Sequence, residues 1–409
     1  MVNSSIHAKP QEARLPALGL EHLLFLLSIS FALLGVLGRH SFQDQIGGIR
    51  YAPHYFALAA IAVLTLKHAI WGSPSLLFTI KLDHLAPTAA LAALIAIGTT
   101  ARHISDPGAA SFRPHLISIT GFALAIGFLS HVKCRTLTAY LFMGAGALAA
   151  GIALIGFLQG EASTHEYLFL IVPLCVPLLT SRRTPFVLMG LLWIAFWGIC
   201  GLKNTTFIIC VATLTLALTL RTAQRRPIGK WTLLAILPTC LLIPNILTQA
   251  LETLRANIPG FSSGNTSVRQ FFYRELLTRF KESPFTGTVF SESPVMIYPY
   301  DYIHGHHPLL PSHSDLLDIL AHGGLLAATV FAAILWQTTR SGLRLLDQTT
   351  EGRRNLHWEY AATACACGII QMAFNPVLHL PANGMLFWFV AGCLIVFSSD
   401  LNQRSASQV

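Results

Sequence analysis

Charge is the scarcest feature of this sequence. Only 11% of its 409 residues are Asp, Glu, Lys or Arg, against about 25% in an ordinary soluble domain. The hydrophobic share is 53%, and no soluble fold of this length could hide that much apolar surface. Acids are rarer than bases, and Glu21, near the start of the first apolar run, reads as interfacial. No chain of buried carboxylates for proton or ion coupling is visible, which weighs against a pump or a cation-driven transporter. Internal repeats and low-complexity segments are also missing. Seven of the eight cysteines (Cys175, Cys200, Cys210, Cys240, Cys365, Cys367, Cys393) lie inside apolar runs, and Cys134 lies in a short basic loop. None falls in the long polar stretch 250–317, so no disulfide framework is implied.

The chain does have apolar runs of roughly 17 to 22 residues, the length that crosses a bilayer core. They predict an all-α, polytopic membrane helical bundle of about 12 transmembrane spans, a single membrane domain over residues 1–409. The spans are expected near 17–37, 53–71, 83–100, 114–131, 137–158, 167–180, 185–201, 204–220, 231–249, 318–338, 359–379 and 384–400. The span at 167–180 contains Pro173 and Pro177, which predicts a tilted or broken helix. Met1 to Pro16 is polar and mildly basic and reads as a cytoplasmic tail before an uncleaved first span.

The net charge of +9 raises the question of nucleic acid, but the cations sit in short clusters between apolar runs, such as Arg221, Arg225, Arg226 and Lys230. That is the pattern of topology signals, with no basic groove and no interleaved aromatics. With both termini inside, the inside segments carry 17 Lys and Arg residues and the short outside segments carry 5, as the positive-inside rule requires.

One connection is not short. Residues 250–317, between the ninth and tenth spans, are expected to form an outside loop with structure and function of its own. Within it, Asn265 to Lys281 reads as a helix, with Thr266 or Ser267 as cap and Phe272, Leu276 and Phe280 on one face. Pro284 stops it. Ser312 and Asp315 then have capping-box spacing, which predicts a helix that continues as the tenth span. His313 falls in its first turn, where free N–H groups attract phosphate and disfavour a charged imidazole. A neutral imidazole there suits general-base work on a hydroxyl. A polar residue marking the start of a helix would occupy the same place.

Arg269, one turn into the loop helix, offers the planar fork that binds a diphosphate bidentately; a solvated helix face would also accept it. Lys203, in the short turn between spans at 201–204, could snorkel to the interface or meet a phosphate as a point charge. His304, His306 and His307, with Asp301, His313 and Asp315, match no standard zinc spacing. Packing or substrate contacts are expected of His306, His307 and Asp315, and a substrate contact of Arg274. No metal and no cofactor is expected.

Ser267-x-Arg269, Phe280 to Gly287 (FKESPFTG), and His313-Ser314-x-x-Leu317-x-x-Leu320 through Gly323-Gly324-Leu325-Leu326 together resemble the signature of the O-antigen ligase and O-antigen polymerase superfamily. The motif match covers roughly 265–330, and the twelve-span layout agrees with the ligases. The resemblance implies a metal-independent, membrane-embedded glycosyltransferase of the C type, in the bacterial inner membrane, with 250–317 as its periplasmic catalytic loop. It would move glycan from undecaprenyl diphosphate to the lipid A core, or, as a polymerase, to another lipid-linked repeat unit. It implies that His313 is the essential histidine and Arg269 the loop arginine. Lys203 stands where the family usually has an arginine, and Ser314 stands where an Asn often follows the histidine. A transporter or flippase is the competing class, but the complexity of this chain lies in one asymmetric loop rather than in symmetric halves.

Overall fold

The computed structural model describes residues 82–107, 111–129, 135–158, 167–200, 204–223, 266–297, 310–312, 314–348 and 356–406. Helices occupy the places expected for nine of the twelve spans; the three at 17–37, 53–71 and 231–249 lie outside the described residues. They are α1 (Leu82–Ser105), α2 (Arg113–Leu129) and α3 (Arg135–Leu158). A broken segment follows, α4 (Leu168–Ile171), a 3₁₀ turn (Val172–Cys175) and α5 (Val176–Leu179). Next come α6 (Thr184–Cys200), α7 (Asn204–Ala223) and the loop helix α8 (Thr266–Glu282). The last three are α9 (Asp315–Gln348), α10 (Leu356–Phe374) and α11 (Pro381–Ala406).

The described fold is all-α apart from one minimal antiparallel pair. Strand β1 (Met296–Ile297) meets β2 (Leu310–Pro311), with Met296 opposite Pro311 and Ile297 opposite Leu310. This pair fastens the far end of the loop to the residues that lead into α9.

The break at 172–175 has the expected cause. Pro173 and Pro177 supply no N–H to an α-helical ladder, so the chain tightens into a 3₁₀ turn and then resumes as α5. This segment lies at the centre of the bundle, where Phe169, Leu170, Ile171 and Val172 are wholly buried. Glycine lets α2 and α11 come together backbone to backbone: a β-carbon on Gly121 would collide with the Met385 carbonyl, and one on Gly384 with Ser118. Small residues at such crossings are how helices associate where lipid removes the hydrophobic drive.

Two helices, Leu85–Ser105 and Asp315–Leu346, are long and apolar enough to cross a membrane, and shorter apolar helices flank them. On α6 the large apolar residues Leu188, Met189, Leu192 and Ile199 are more than half exposed. Water would not tolerate such a face, but lipid would. Cys175, Cys210, Cys365, Cys367 and Cys393 are buried free thiols, as their positions in apolar runs imply.

Candidate active site

The two halves of the sequence signature are physically one structure. Helix α8 starts at Thr266 and buries Phe272, Tyr273 and Leu276 against Val295, Ala321 and Leu317. The chain then turns sharply: the Gly287 N–H bonds the Ser283 carbonyl at 2.9 Å, and the Ser283 hydroxyl bonds the Gly287 carbonyl at 3.0 Å. Val289 and Phe290 follow with φ of 50° and 59°, a left-handed conformation that non-glycine residues hold only when their surroundings impose it. Here the surroundings are α1, because a β-carbon on Gly98 would collide with the Val289 carbonyl, and the aromatic pocket that buries Phe290 against Phe112, ring centroids 5.1 Å apart.

This turn docks into a break in α9. Gly324 has φ 61° and ψ −167°, a combination essentially reserved for glycine. The helical ladder is interrupted there, and the loop takes over its bonds. The Leu325 N–H reaches the Pro284 carbonyl at 2.8 Å, the Leu326 N–H reaches that of Phe285 at 3.0 Å, and the His322 carbonyl accepts the Phe290 N–H at 3.0 Å. The SPFTG run and the HGGLL run are therefore the two sides of one backbone joint.

N-terminal to the break, α9 turns a polar stripe inward. Asp315, Asp318 and His322 recur at i, i+3 and i+7, one helical face, and none has any exposed surface. The Asp315 carboxylate accepts the N–H groups of Val377 at 2.6 Å, Leu378 at 2.7 Å and His379 at 3.3 Å. It thereby holds the bend between α10 and α11, which the Ser118 hydroxyl grips from α2 through the Leu378 carbonyl at 2.8 Å. The His115 Nε2 stands 3.6 Å from Asp315. His115 packs edge-on to His379, and Phe112 is inserted between His115 and His322 with ring centroids 5.2 and 4.8 Å away. His322 Nδ1 meets the Thr288 hydroxyl at 3.4 Å, tying the stripe to the docked turn. Among the described residues, Asp318 Oδ1, His322 Nε2 and both ring nitrogens of His115 are buried without a hydrogen-bond partner.

Of the expected site residues, His313, Lys203, His306 and His307 lie outside the described residues. Arg269 lies in α8, three, four and seven residues before Phe272, Tyr273 and Leu276. Its backbone position therefore shares a helical face with those three residues. Arg274 is exposed. Of the packing or substrate contacts expected of Asp315, the structure shows the first kind, its carboxylate accepting three backbone N–H groups. The capping-box reading is also corrected. Ser314 is the cap, accepting the Leu317 N–H at 3.3 Å, while Ser312 donates its hydroxyl to Asp318.

The sequence does not single out Asp318, His322, His115 or His379, and its apolar runs show no chain of buried carboxylates. The structure places Asp315 and Asp318 inside the bundle, with Glu359 also buried and bonded by the Thr180 hydroxyl at 2.7 Å. The i, i+3, i+7 spacing on α9 was the available signal.

A helical membrane protein whose loop helix and broken span enclose a buried acid–imidazole cluster is the class that this fold and site define. Residues 168–332 match the family model described as O-Antigen ligase. The match runs from the broken central segment through α8 and the joint at Gly324. The match covers residues 168–332 alone, and over that segment it supports the O-antigen ligase and polymerase superfamily. No curated protein matches the chain, and neither does any solved structure.

Proposed function

We propose that the protein is an O-antigen ligase, transferring polysaccharide from undecaprenyl diphosphate to the lipid A core on the periplasmic face of the inner membrane, within a twelve-span bundle. The observation that carries this reading is the joint between the SPFTG turn and the Gly324 break. It presses the loop that holds Arg269 against the start of the helix that follows His313.

In the reaction, a hydroxyl oxygen of the acceptor sugar attacks the anomeric carbon of the donor. The new glycosidic bond forms as the bond from that carbon to the diphosphate oxygen breaks. His313 takes the hydroxyl proton as general base. Undecaprenyl diphosphate departs with the bonding electrons, and its added negative charge is met by the Arg269 guanidinium, supported by Lys203. Charge from the protein does the work that a metal does in many diphosphate sites. Arg274, His306 and His307 contact substrate from the same loop, and the lipid tail enters laterally between spans.

Deletion in the native host tests the assignment. Gel analysis should show bare lipid A core while full-length polymer accumulates on undecaprenyl diphosphate. Core that still carries glycan, but only one repeat unit long, would identify a polymerase instead.

A further inference from the structure

We infer that Asp318 is a positioning residue for the transfer reaction, acting through Ser312 on the backbone that carries His313. The inference rests on the proposed role of His313 as base.

The residues on either side of position 313 are fastened to the first turn of α9 by a closed set of bonds. Ser312 and Ser314 are each 1% exposed. The Ser312 hydroxyl donates to Asp318 Oδ2, and the Ser314 N–H reaches back to the Ser312 oxygen at 3.4 Å. The Ser314 carbonyl accepts the Asp318 N–H at 3.0 Å, and its hydroxyl caps the Leu317 N–H at 3.3 Å. Position 313 is thus bracketed by two serines, and Asp318 reaches from α9 to the upstream one.

Stability does not explain this aspartate. It is wholly buried, Arg279 acts on it electrostatically, and its other oxygen, Oδ1, has no hydrogen-bond partner among the described residues. A carboxylate held in an apolar interior is costly, and a well-packed apolar side chain of similar volume would serve the helix at least as well. What a leucine could not do is hold the Ser312 hydroxyl. A general base must sit within hydrogen-bond reach of the proton it takes, and a displacement of about 1 Å can lower the rate on the order of 10²-fold. Fixing the backbone on the N-terminal side of the base is the service that Asp318 performs.

The test uses full-length protein in liposomes, with lipid-linked glycan as donor and lipid A core as acceptor. Ser312→Ala and Asp318→Leu both remove the link. Each should lower kcat at least tenfold and leave KM for both substrates within about twofold. The melting temperature in detergent should be at or above that of wild type for Asp318→Leu and below it for Ser312→Ala, whose buried carboxylate loses its donor. The double variant should be no worse than the weaker single one, since both break the same chain. Asp318→Asn keeps an acceptor for the Ser312 hydroxyl and should retain kcat within about threefold. Wild-type kcat in Asp318→Leu beside an inactive His313→Ala would overturn this inference alone. So would Asp318→Asn as damaged as Asp318→Leu, which would point to charge rather than position, or losses that track the melting temperature. An active His313→Ala would overturn the reading of the base and this inference with it.

Discussion

Gly287 and Gly324 meet backbone to backbone: a β-carbon built on Gly324 would stand 2.5 Å from the Gly287 amide nitrogen. Both have positive φ, 55° and 61°. The contact is a joint between the loop that carries the expected arginine and the helix that follows the expected histidine. Neither glycine can acquire a side chain without parting the two.

Gly324→Ala is therefore expected to damage the protein well beyond an ordinary helix substitution. Its backbone conformation alone costs roughly 1–3 kcal/mol for a residue with a β-carbon, before the clash with Phe285 and Gly287 is counted. The Leu325 and Leu326 N–H bonds to the loop would lengthen together. The melting temperature of purified protein should fall, and limited proteolysis should cut first between 283 and 291. Gly342, further along α9, meets only ordinary contacts at about 3.4 Å and provides the control: Gly342→Ala should behave like wild type.

Asp315 makes a second prediction possible. It joins the start of α9 to the bend at 377–379 through three N–H bonds. Removing the carboxylate takes away the acceptor of the Leu378 and His379 N–H groups and leaves Val377 only the Asn375 carbonyl at 3.0 Å, at a cost on the order of 3 kcal/mol. Asp315→Ala should lower the melting temperature sharply, and hydrogen exchange of the Val377 and Leu378 amides should accelerate ahead of the rest of α10 and α11. Unchanged exchange at those amides would mean that Ser118 and the Asn375 carbonyl hold the bend without Asp315.

The helices were legible in the sequence because lipid solvent demands long apolar runs, and because Pro173 and Pro177 announce the break between them. The loop helix was legible from Thr266, Phe272, Leu276 and Pro284. The joint was not. Its residues were recognisable as motifs, but nothing in SPFTG or HGGLL says that a helix interrupts itself at Gly324 so that carbonyls forty residues upstream can replace its own. The buried stripe was half legible. Asp315, Asp318 and His322 share a helical face on paper, but apolar neighbours hid them within a run that reads as a simple span. His115 and His379 come from two other elements, and only tertiary packing brings them beside Asp315.

Membrane topology gives a third expectation. Reporter fusions should place residues near 225 and 350 in the cytoplasm and residues near 290 outside. The charge distribution requires this, since Arg221, Arg225, Arg226 and Lys230 belong inside. Fusions at 225 and 290 that report the same side would put the joint and its loop on the wrong face for a lipid-linked donor displayed outside, and the proposed chemistry would fail with it.

The last expectation concerns the division of labour between His313 and Arg269. His313→Ala should abolish transfer while expression and membrane insertion stay normal, because Ser312, Ser314 and Asp318 hold the neighbouring backbone. Arg269 acts differently. Its proposed role is to bond two diphosphate oxygens at once with a guanidinium that never loses its charge. Arg269→Ala should be nearly as damaging as His313→Ala. Arg269→Lys should recover only part of the rate, since an ammonium restores the charge but not the fork. If charge from arginine stabilises the leaving diphosphate, a chelator should leave transfer unchanged. Strong inhibition by EDTA, reversed by a divalent ion, would show instead that a metal carries the leaving-group charge, and the histidines at 304, 306 and 307 would become the first residues to replace.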